Sequence, residues 1–249
     1  MMNCNPETGA CELPSAASAP ALAVATRQHS GATVRYVGDP MCSWCWGLSP
    51  VLEQIAAHCE KEGLGFSITM GGLRAGGGDP WTPAFRAFLR NEWRHIAEVS
   101  GQPFGFALLD ADHFDYDTEP ACRAVTTVKL LQARHGLPAA IVLKFLGAVQ
   151  RRFYVDGKDP KAVAFYVGIC ADLALDFDEF RVLFESTQAR QATQQEFVRC
   201  RQWGVRSFPT LLLERNGVQT PLAVGAVKTD QILAQLQQAL AVLPQPIAA

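Results

Sequence analysis

The sequence predicts an α/β fold in which one sheet is assembled from two separated parts of the chain, with a large all-helical insertion between them. Three observations carry that expectation. A β-prone run from Thr33 to Val37, a helical stripe and a second β-prone run from Phe66 to Met70 read together as a strand-helix-strand unit. Residues 79–189 then hold successive helical patterns with no strand-like run among them. Two further strand-like runs, Pro209 to Leu213 and Val218 to Val224, follow near the other end and flank the turn Arg215-Asn216-Gly217-Val218.

Taken in order, residues 1–30 read as an extension rich in Ala, Ser and Pro that contains Cys4 and Cys11, with a composition that fixes no order. Beyond Thr33 to Val37, Leu48, Leu52, Ile55 and Cys59 recur at helical spacing and define one apolar face. Pro50 falls inside that stripe and is expected to kink the helix, which Gly63 and Gly65 should end. Gly71-Gly72 and Gly76-Gly77-Gly78 read as a flexible hinge into the insertion, and they lack the Lys and Ser/Thr of a phosphate loop.

Within the insertion, Thr82-Pro83 caps a helix with the stripe Phe85, Phe88, Leu89 and Ile96, ending near Gly101. Thr118-Glu119-Pro120 opens the next, with Ala121, Ala124, Val125, Val128 and Leu131 on one face. A third runs from about Pro138 through Phe145 and Val149 to Phe153, a fourth starts at Asp159-Pro160 and carries Tyr166, Ile169 and Leu173, and a short one spans Asp178 to Ser186. Thr193-Gln194-Gln195-Glu196 has the form of a capping box whose helix ends near Gly204. Pro221 marks Val218 to Val224 as an edge strand, and a last helix carries Ile232, Leu233, Leu236, Leu240 and Leu243. The sheet-bearing domain is thus expected over 31–78 and 190–249, with the insertion over 79–189.

At 249 residues and 49% hydrophobic composition the chain can bury a substantial core. A formal net charge of -2 gives no general attraction to nucleic acid or to an anionic membrane, so neither is an expected partner. No apolar run reaches the roughly 20 residues needed to span a bilayer. Ala16 to Ala25 is small and mildly apolar, but no Lys or Arg precedes it and Pro14 and Pro20 interrupt it, so the cytoplasm is the expected compartment. Oligomeric state has no signature in the chain.

Chemistry concentrates at Cys42-Ser43-Trp44-Cys45, two thiols placed between a strand and the start of a helix. Unpaired N–H groups and the helix dipole favour a thiolate at Cys42, while Cys45, about one turn on, can close a disulfide with it. Asp39-Pro40-Met41-Cys42-Ser43-Trp44-Cys45-Trp46-Gly47 resembles the active-site segment of the FrnE-like, protein disulfide isomerase branch of the DsbA-like family. Gly204-Val205-Arg206-Ser207-Phe208-Pro209-Thr210 resembles the cis-proline loop of the same family. The resemblance spans about residues 32–243 and implies a thioredoxin fold with a helical insertion, and an oxidoreductase or disulfide isomerase acting by mixed-disulfide exchange.

It implies catalytic roles for Cys42 and Cys45, and a cis Phe208-Pro209 bond that sequence statistics alone would make trans, since only about 5% of X-Pro bonds are cis. Trp44, Trp46, Phe208 and Pro209 become candidate substrate contacts. Thr118 and Arg123 join them, because Thr118-Glu119-Pro120-Ala121-Cys122-Arg123 resembles the start of the insertion helix that faces the cleft in these relatives. Read without the resemblance, Thr118 is a helix cap and Arg123 a surface cation. The buried acid many thioredoxin-like enzymes carry six residues before the first active-site cysteine is Tyr36 here, with Asp39 the nearest carboxylate.

No tightly bound cofactor and no metal is expected, with glutathione a candidate redox partner alongside protein or small-molecule disulfides and dithiols. Cys59, Cys170 and Cys200 read as buried hydrophobes. Cys4 and Cys11 are candidate auxiliary thiols that could pair, exchange with Cys42 and Cys45, or stay free. A glutathione-dependent transferase or isomerase of the kappa-class or hydroxychromene-carboxylate isomerase type shares the architecture, but those relatives use a serine where this chain has Cys42. A soft-metal site would need Cys4, Cys11, Cys42 and Cys45 as thiolates at about 2.3 Å. The five histidines show no ligand spacing.

Overall fold

Alternation of apolar and polar residues in Thr33–Gly38 buries Val34 and Tyr36 on one face, and this strand is the centre from which the rest is built. The computed structural model describes residues 4, 5, 7–12 and 31–241. In chain order, a short antiparallel hairpin, β1 (Cys4–Asn5) and β2 (Ala10–Glu12), comes before the central strand β3 (Thr33–Gly38). A short helix α1 (Ser43–Gly47), a longer helix α2 (Ser49–Lys61) and the strand β4 (Gly65–Met70) follow. β4 runs parallel to β3, Thr33 opposite Gly65 and Gly38 opposite Met70.

Leu48, Leu52, Ile55 and Cys59 form the buried face expected of them. The expected kink takes another form. Pro50 lies in the first turn of α2, where its missing N–H costs no hydrogen bond, and the chain breaks at Leu48 into two helices.

Between β4 and the returning strands lie α3 (Pro83–Ser100), α4 (Glu119–His135), α5 (Ile141–Tyr154), α6 (Val167–Asp172), α7 (Phe177–Glu185) and α8 (Thr187–Gln202). The fourth expected helix is split, a 3₁₀ turn at Val163–Tyr166 leading into α6. Thr82 caps α3 by accepting from the Phe85 N–H, and Gly101 ends it at φ 73. Phe88 is 36% exposed and does not belong to the buried stripe, which Trp93, wholly buried, completes. Trp93 packs with Phe104, Phe153 and Tyr154 into the core of the insertion.

The capping box is also corrected. Ser186 caps α8 from the Ala189 N–H, so Thr193 lies mid-helix with its hydroxyl donated to the Ala189 carbonyl. Glu196, one helix turn further, accepts from the Met70 N–H at 2.7 Å and pairs with Lys129, whose ammonium also donates to the Ile68 carbonyl. These bonds tie α4 and α8 to β4. Residue 190, the expected boundary of the insertion, therefore falls inside a continuous helix.

The chain returns as β5 (Ser207–Phe208), β6 (Thr210–Arg215) and β7 (Val218–Val224), followed by α9 (Thr229–Ala241). The main sheet has the order β4-β3-β6-β7, β6 antiparallel to both neighbours. Asn216 and Gly217 both have positive φ, as a two-residue hairpin turn requires. Pro221 sits on the edge strand beside a bulge at Leu211/Leu212. A second sheet joins β1, β2 and β5, which the sequence did not announce. Ile232 and Leu236 are the buried positions of α9, and Leu243 lies outside the described residues.

Gly71-Gly72 is packing rather than hinge. Gly71 donates its N–H to the Gly38 carbonyl at 2.8 Å, and a methyl group there would collide with the Phe208 ring. Gly71→Ala is expected to cost about 1–3 kcal/mol through overpacking. Urea denaturation checks it; an unchanged midpoint would mean that Phe208 yields freely.

Candidate active site

The turn leaving β3 holds the Cys42 segment in place. The Cys42 N–H donates to the Asp39 carbonyl at 3.1 Å, Cys42 keeps an extended backbone at φ -89 and ψ 118, and α1 starts at Ser43, so Cys42 is its N-cap residue. Its carbonyl accepts from the Trp46 N–H. Cys45 lies inside α1 one turn on, and both cysteines are fully buried.

Asp39 is the hub beneath this turn. One carboxylate oxygen accepts from the Met41 N–H at 2.8 Å, the other from the Leu73 N–H at 2.7 Å and from the Cys122 thiol at 3.4 Å. The Tyr116 hydroxyl adds a bond to the Met41 carbonyl. The site thus draws on β3, the loop after β4, the loop before α4, and α4 itself. Burial raises the Asp39 carboxyl above its ordinary value, opposed in order by the Met41 N–H, the Thr118 side chain, the Leu73 N–H and Cys122.

The cis peptide bond in this region joins Phe208 to Pro209, between β5 and β6. The Phe208 carbonyl stands 3.9 Å from the Cys42 sulfur, within reach of a weak S–H donor. Phe208 and Pro209 are both buried.

Electrostatics here differ from what a helix start alone predicts. Burial pushes the Cys42 thiol well above its ordinary value, the neighbouring Cys45 adds to this, and a backbone hydrogen bond at Cys45 opposes it only in part. With the site covered, desolvation outweighs the helix N-terminus, and Cys42 is held as a thiol. Tyr36, at the position expected of a buried acid, has its hydroxyl raised first by burial and then by Cys45, so it is a neutral neighbour of the second cysteine.

The other expected site residues are distributed unevenly. Trp44 is buried with its ring edge-on to His95, and Trp46 donates its indole N–H to the Pro103 carbonyl at 3.0 Å and stacks on Tyr154. Both rings are packed inside the protein. Thr118 is fully buried and makes no cap to α4. Its hydroxyl accepts from the Arg74 N–H at 3.1 Å. Arg123 is no surface cation: it bonds Glu119 and the Phe184 carbonyl and covers the Phe184 ring at 4.2 Å, which directs it to α7.

Cys4 and Cys11 occupy directly paired positions of β1 and β2, and Cys11 is paired in turn with Phe208. Cys59, Cys170 and Cys200 are buried thiols raised by desolvation to about 11, about 12 and about 12, the inert state expected of them. Tyr116 and Tyr154 were not anticipated, because residues in the loop before α4 and at the end of α5 carry no periodic signal that marks them as neighbours of Cys42. Among the described residues there is no group of His, Cys, Asp and Glu arranged to hold a metal ion. No helix among them is long and apolar enough to cross a membrane.

Solved structures supply close likenesses. A proposed protein disulfide isomerase from Nitrosomonas europaea is 32% identical with a TM-score of 0.73, covering 84% of this chain and 98% of its own. The cytosolic disulfide reductase DsbM from Pseudomonas aeruginosa is 29% identical at TM-score 0.65, again over 84% of this chain and 98% of its own, and has also been solved with GSH. A 2-hydroxychromene-2-carboxylate isomerase at 13% identity and TM-score 0.56, over 84% of this chain and 94% of its own, shares the fold alone. No protein-family model and no curated protein matches the chain.

Because burial raises Asp39, the folded chain keeps that proton to a higher pH than the unfolded chain, whose aspartates titrate near about 3.9. The associated stability is complete below that value and lost as pH rises through the folded one. Asp39→Asn has no proton to lose. Its unfolding free energy should therefore fall less than that of the wild type between about pH 4 and about pH 7. Equal falls in urea titrations would contradict the raised carboxyl.

Proposed function

The chain belongs to the DsbA-like thioredoxin-fold family, and on that premise we propose that it is a thiol-disulfide oxidoreductase working through Cys42 and Cys45. The observation that carries the reading is the convergence of Cys42 at the start of α1, Cys45 one turn on, and the Phe208 carbonyl 3.9 Å from the Cys42 sulfur.

Cys42 is the nucleophile. Its thiolate attacks one sulfur of a substrate disulfide, forming a mixed disulfide while the other substrate sulfur leaves and is protonated. The Cys45 thiolate then attacks the Cys42 sulfur, the Cys42–Cys45 bond closes, and the second substrate thiol departs, so two electrons have passed to the substrate. The reverse sequence oxidises a dithiol. Since the covered Cys42 is held as a thiol by burial, substrate entry and solvation of the sulfur precede attack, and only then does the helix N-terminus favour the thiolate.

Phe208 is the backbone partner of a bound substrate strand, paired through the groups beside Pro209. Trp44 and Trp46 hold α1 against the insertion and give the site an apolar wall. In this reading Thr118 and Arg123 position the loop and helix behind Asp39 rather than touching substrate, in keeping with their internal bonds.

The working direction is reduction in the cytoplasm, with glutathione returning electrons: two glutathione thiols reduce the Cys42–Cys45 disulfide and leave as one glutathione disulfide. The reductase among the neighbours, described as cytosolic and solved with GSH, supports this direction. In an insulin-reduction assay driven by glutathione, Cys42→Ser should fall to the uncatalysed background. Cys45→Ser, with Cys4 and Cys11 also replaced by serine, should accumulate a glutathione adduct on Cys42, seen by mass spectrometry. Undiminished turnover by Cys42→Ser would refute the assignment.

A further inference from the structure

The N-terminal hairpin lies where a substrate strand would bind. β2 is the middle strand of the sheet β1-β2-β5 and runs antiparallel to β5, with Cys11 opposite Phe208 and Glu12 opposite Ser207. This is β-strand addition at the edge beside Pro209, made by the chain's own residues.

The turn is shaped to stay there. The Asn5 side chain accepts from the N–H groups of Glu7 and Thr8, and its carbonyl from that of Gly9, closing the loop between the strands. The Thr8 carbonyl accepts from the Ala226 N–H at 3.0 Å. Gly9, at φ 65, fits so closely between Trp44 and Ala226 that a Cβ would stand 2.8 Å from the indole and 2.7 Å from the Ala226 methyl. Ala10 is buried as well.

The register also pairs Cys4 with Cys11 across the hairpin. Directly opposed residues on antiparallel strands have Cα atoms about 4.5–5.5 Å apart, inside the roughly 4.4–6.8 Å that a disulfide spans. The register therefore puts two cysteine positions next to the strand that carries Phe208, whose carbonyl faces the Cys42 sulfur.

We propose that the hairpin is a tethered dithiol of this site, Cys11 exchanging with Cys42 and Cys4 resolving the product. The proposal rests on the dithiol reading of Cys42 and Cys45. With that pair oxidised, the Cys11 thiolate attacks the Cys42 sulfur; the Cys11–Cys42 bond forms, the Cys42–Cys45 bond breaks, and Cys45 leaves as a thiolate that takes up the proton lost by Cys11. The Cys4 thiolate then attacks the Cys11 sulfur, Cys4–Cys11 closes, and Cys42 is released and protonated. Two electrons and two protons move from one dithiol to one disulfide within the chain, and no outside oxidant is consumed. An external substrate strand reaches Phe208 only after the hairpin leaves it.

The test uses the full chain carrying Cys4→Ser and Cys45→Ser, reduced and then exposed to about 0.1 mM glutathione disulfide, with peptide mapping under non-reducing conditions. A tethered thiol at an effective concentration on the order of 1 mM should outcompete the free thiol, giving the Cys11–Cys42 peptide in at least about tenfold excess over Cys42–glutathione. Adding Gly9→Val, which leaves no room beside Trp44, should cut that yield at least tenfold, since it undocks the hairpin. A persistent Cys42–glutathione adduct, or a yield indifferent to Gly9→Val, overturns the proposal. Cys4→Ser/Cys11→Ser in parallel separates the two levels. If its Cys42–Cys45 disulfide closes while Cys11 fails to trap Cys42, only the hairpin's role is lost. If Cys42–Cys45 does not close, the dithiol reading fails and the hairpin's role with it.

Discussion

A buried carboxylate organises this protein. Asp39 receives the Met41 and Leu73 N–H groups and the Cys122 thiol, so the end of β3, the loop after β4 and the first turn of α4 meet on one pair of oxygens. The two N–H groups would otherwise be buried without a partner, at a cost of about 1–3 kcal/mol apiece. The turn that presents Cys42 is shaped by these bonds, and the Tyr116 hydroxyl on the Met41 carbonyl completes it. A second junction, Glu196 with Lys129 and the Met70 N–H, anchors the insertion helices to β4, so insertion and sheet meet through polar bonds as well as apolar packing.

Against this frame, Cys42 is subject to two opposed effects. The start of α1 offers unpaired N–H groups that favour a thiolate, while complete burial disfavours any charge. Burial wins in the covered state. Reactivity is then tied to uncovering, which couples chemistry to the arrival of a strand at Phe208. The hairpin of β1 and β2 already pairs with that edge, and it is part of what must move.

Much of this was legible in the sequence, for identifiable reasons. Leu48, Leu52, Ile55 and Cys59 declared their helix because periodicity is local, and Thr82 and Asn216-Gly217 declared a cap and a turn because backbone geometry restricts the residues that fit. The link between Cys42 and the Phe208-Pro209 loop came from family resemblance, since residues this far apart in the chain share no local pattern. What escaped was decided by tertiary contact. Ser186 outcompeted Thr193 as a cap because the helix gained a turn and more, Trp93 displaced Phe88 from the stripe by filling the aromatic core, and Gly71 proved to be space for Phe208. The strands β1 and β2 are too short to announce themselves, and they exist by pairing with β5.

The proposed chemistry requires Cys42 and Cys45 to be one reversible two-electron couple. Equilibrating the full chain across a series of glutathione redox buffers, quenching with an alkylating reagent and assigning each cysteine by mass measures this directly. Cys42 and Cys45 should lose their thiols together, along one curve whose oxidised-to-reduced ratio changes tenfold per roughly 30 mV, while Cys59, Cys122, Cys170 and Cys200 stay reduced. Separate curves for the two cysteines, or two thiols that persist across the whole series, would contradict it.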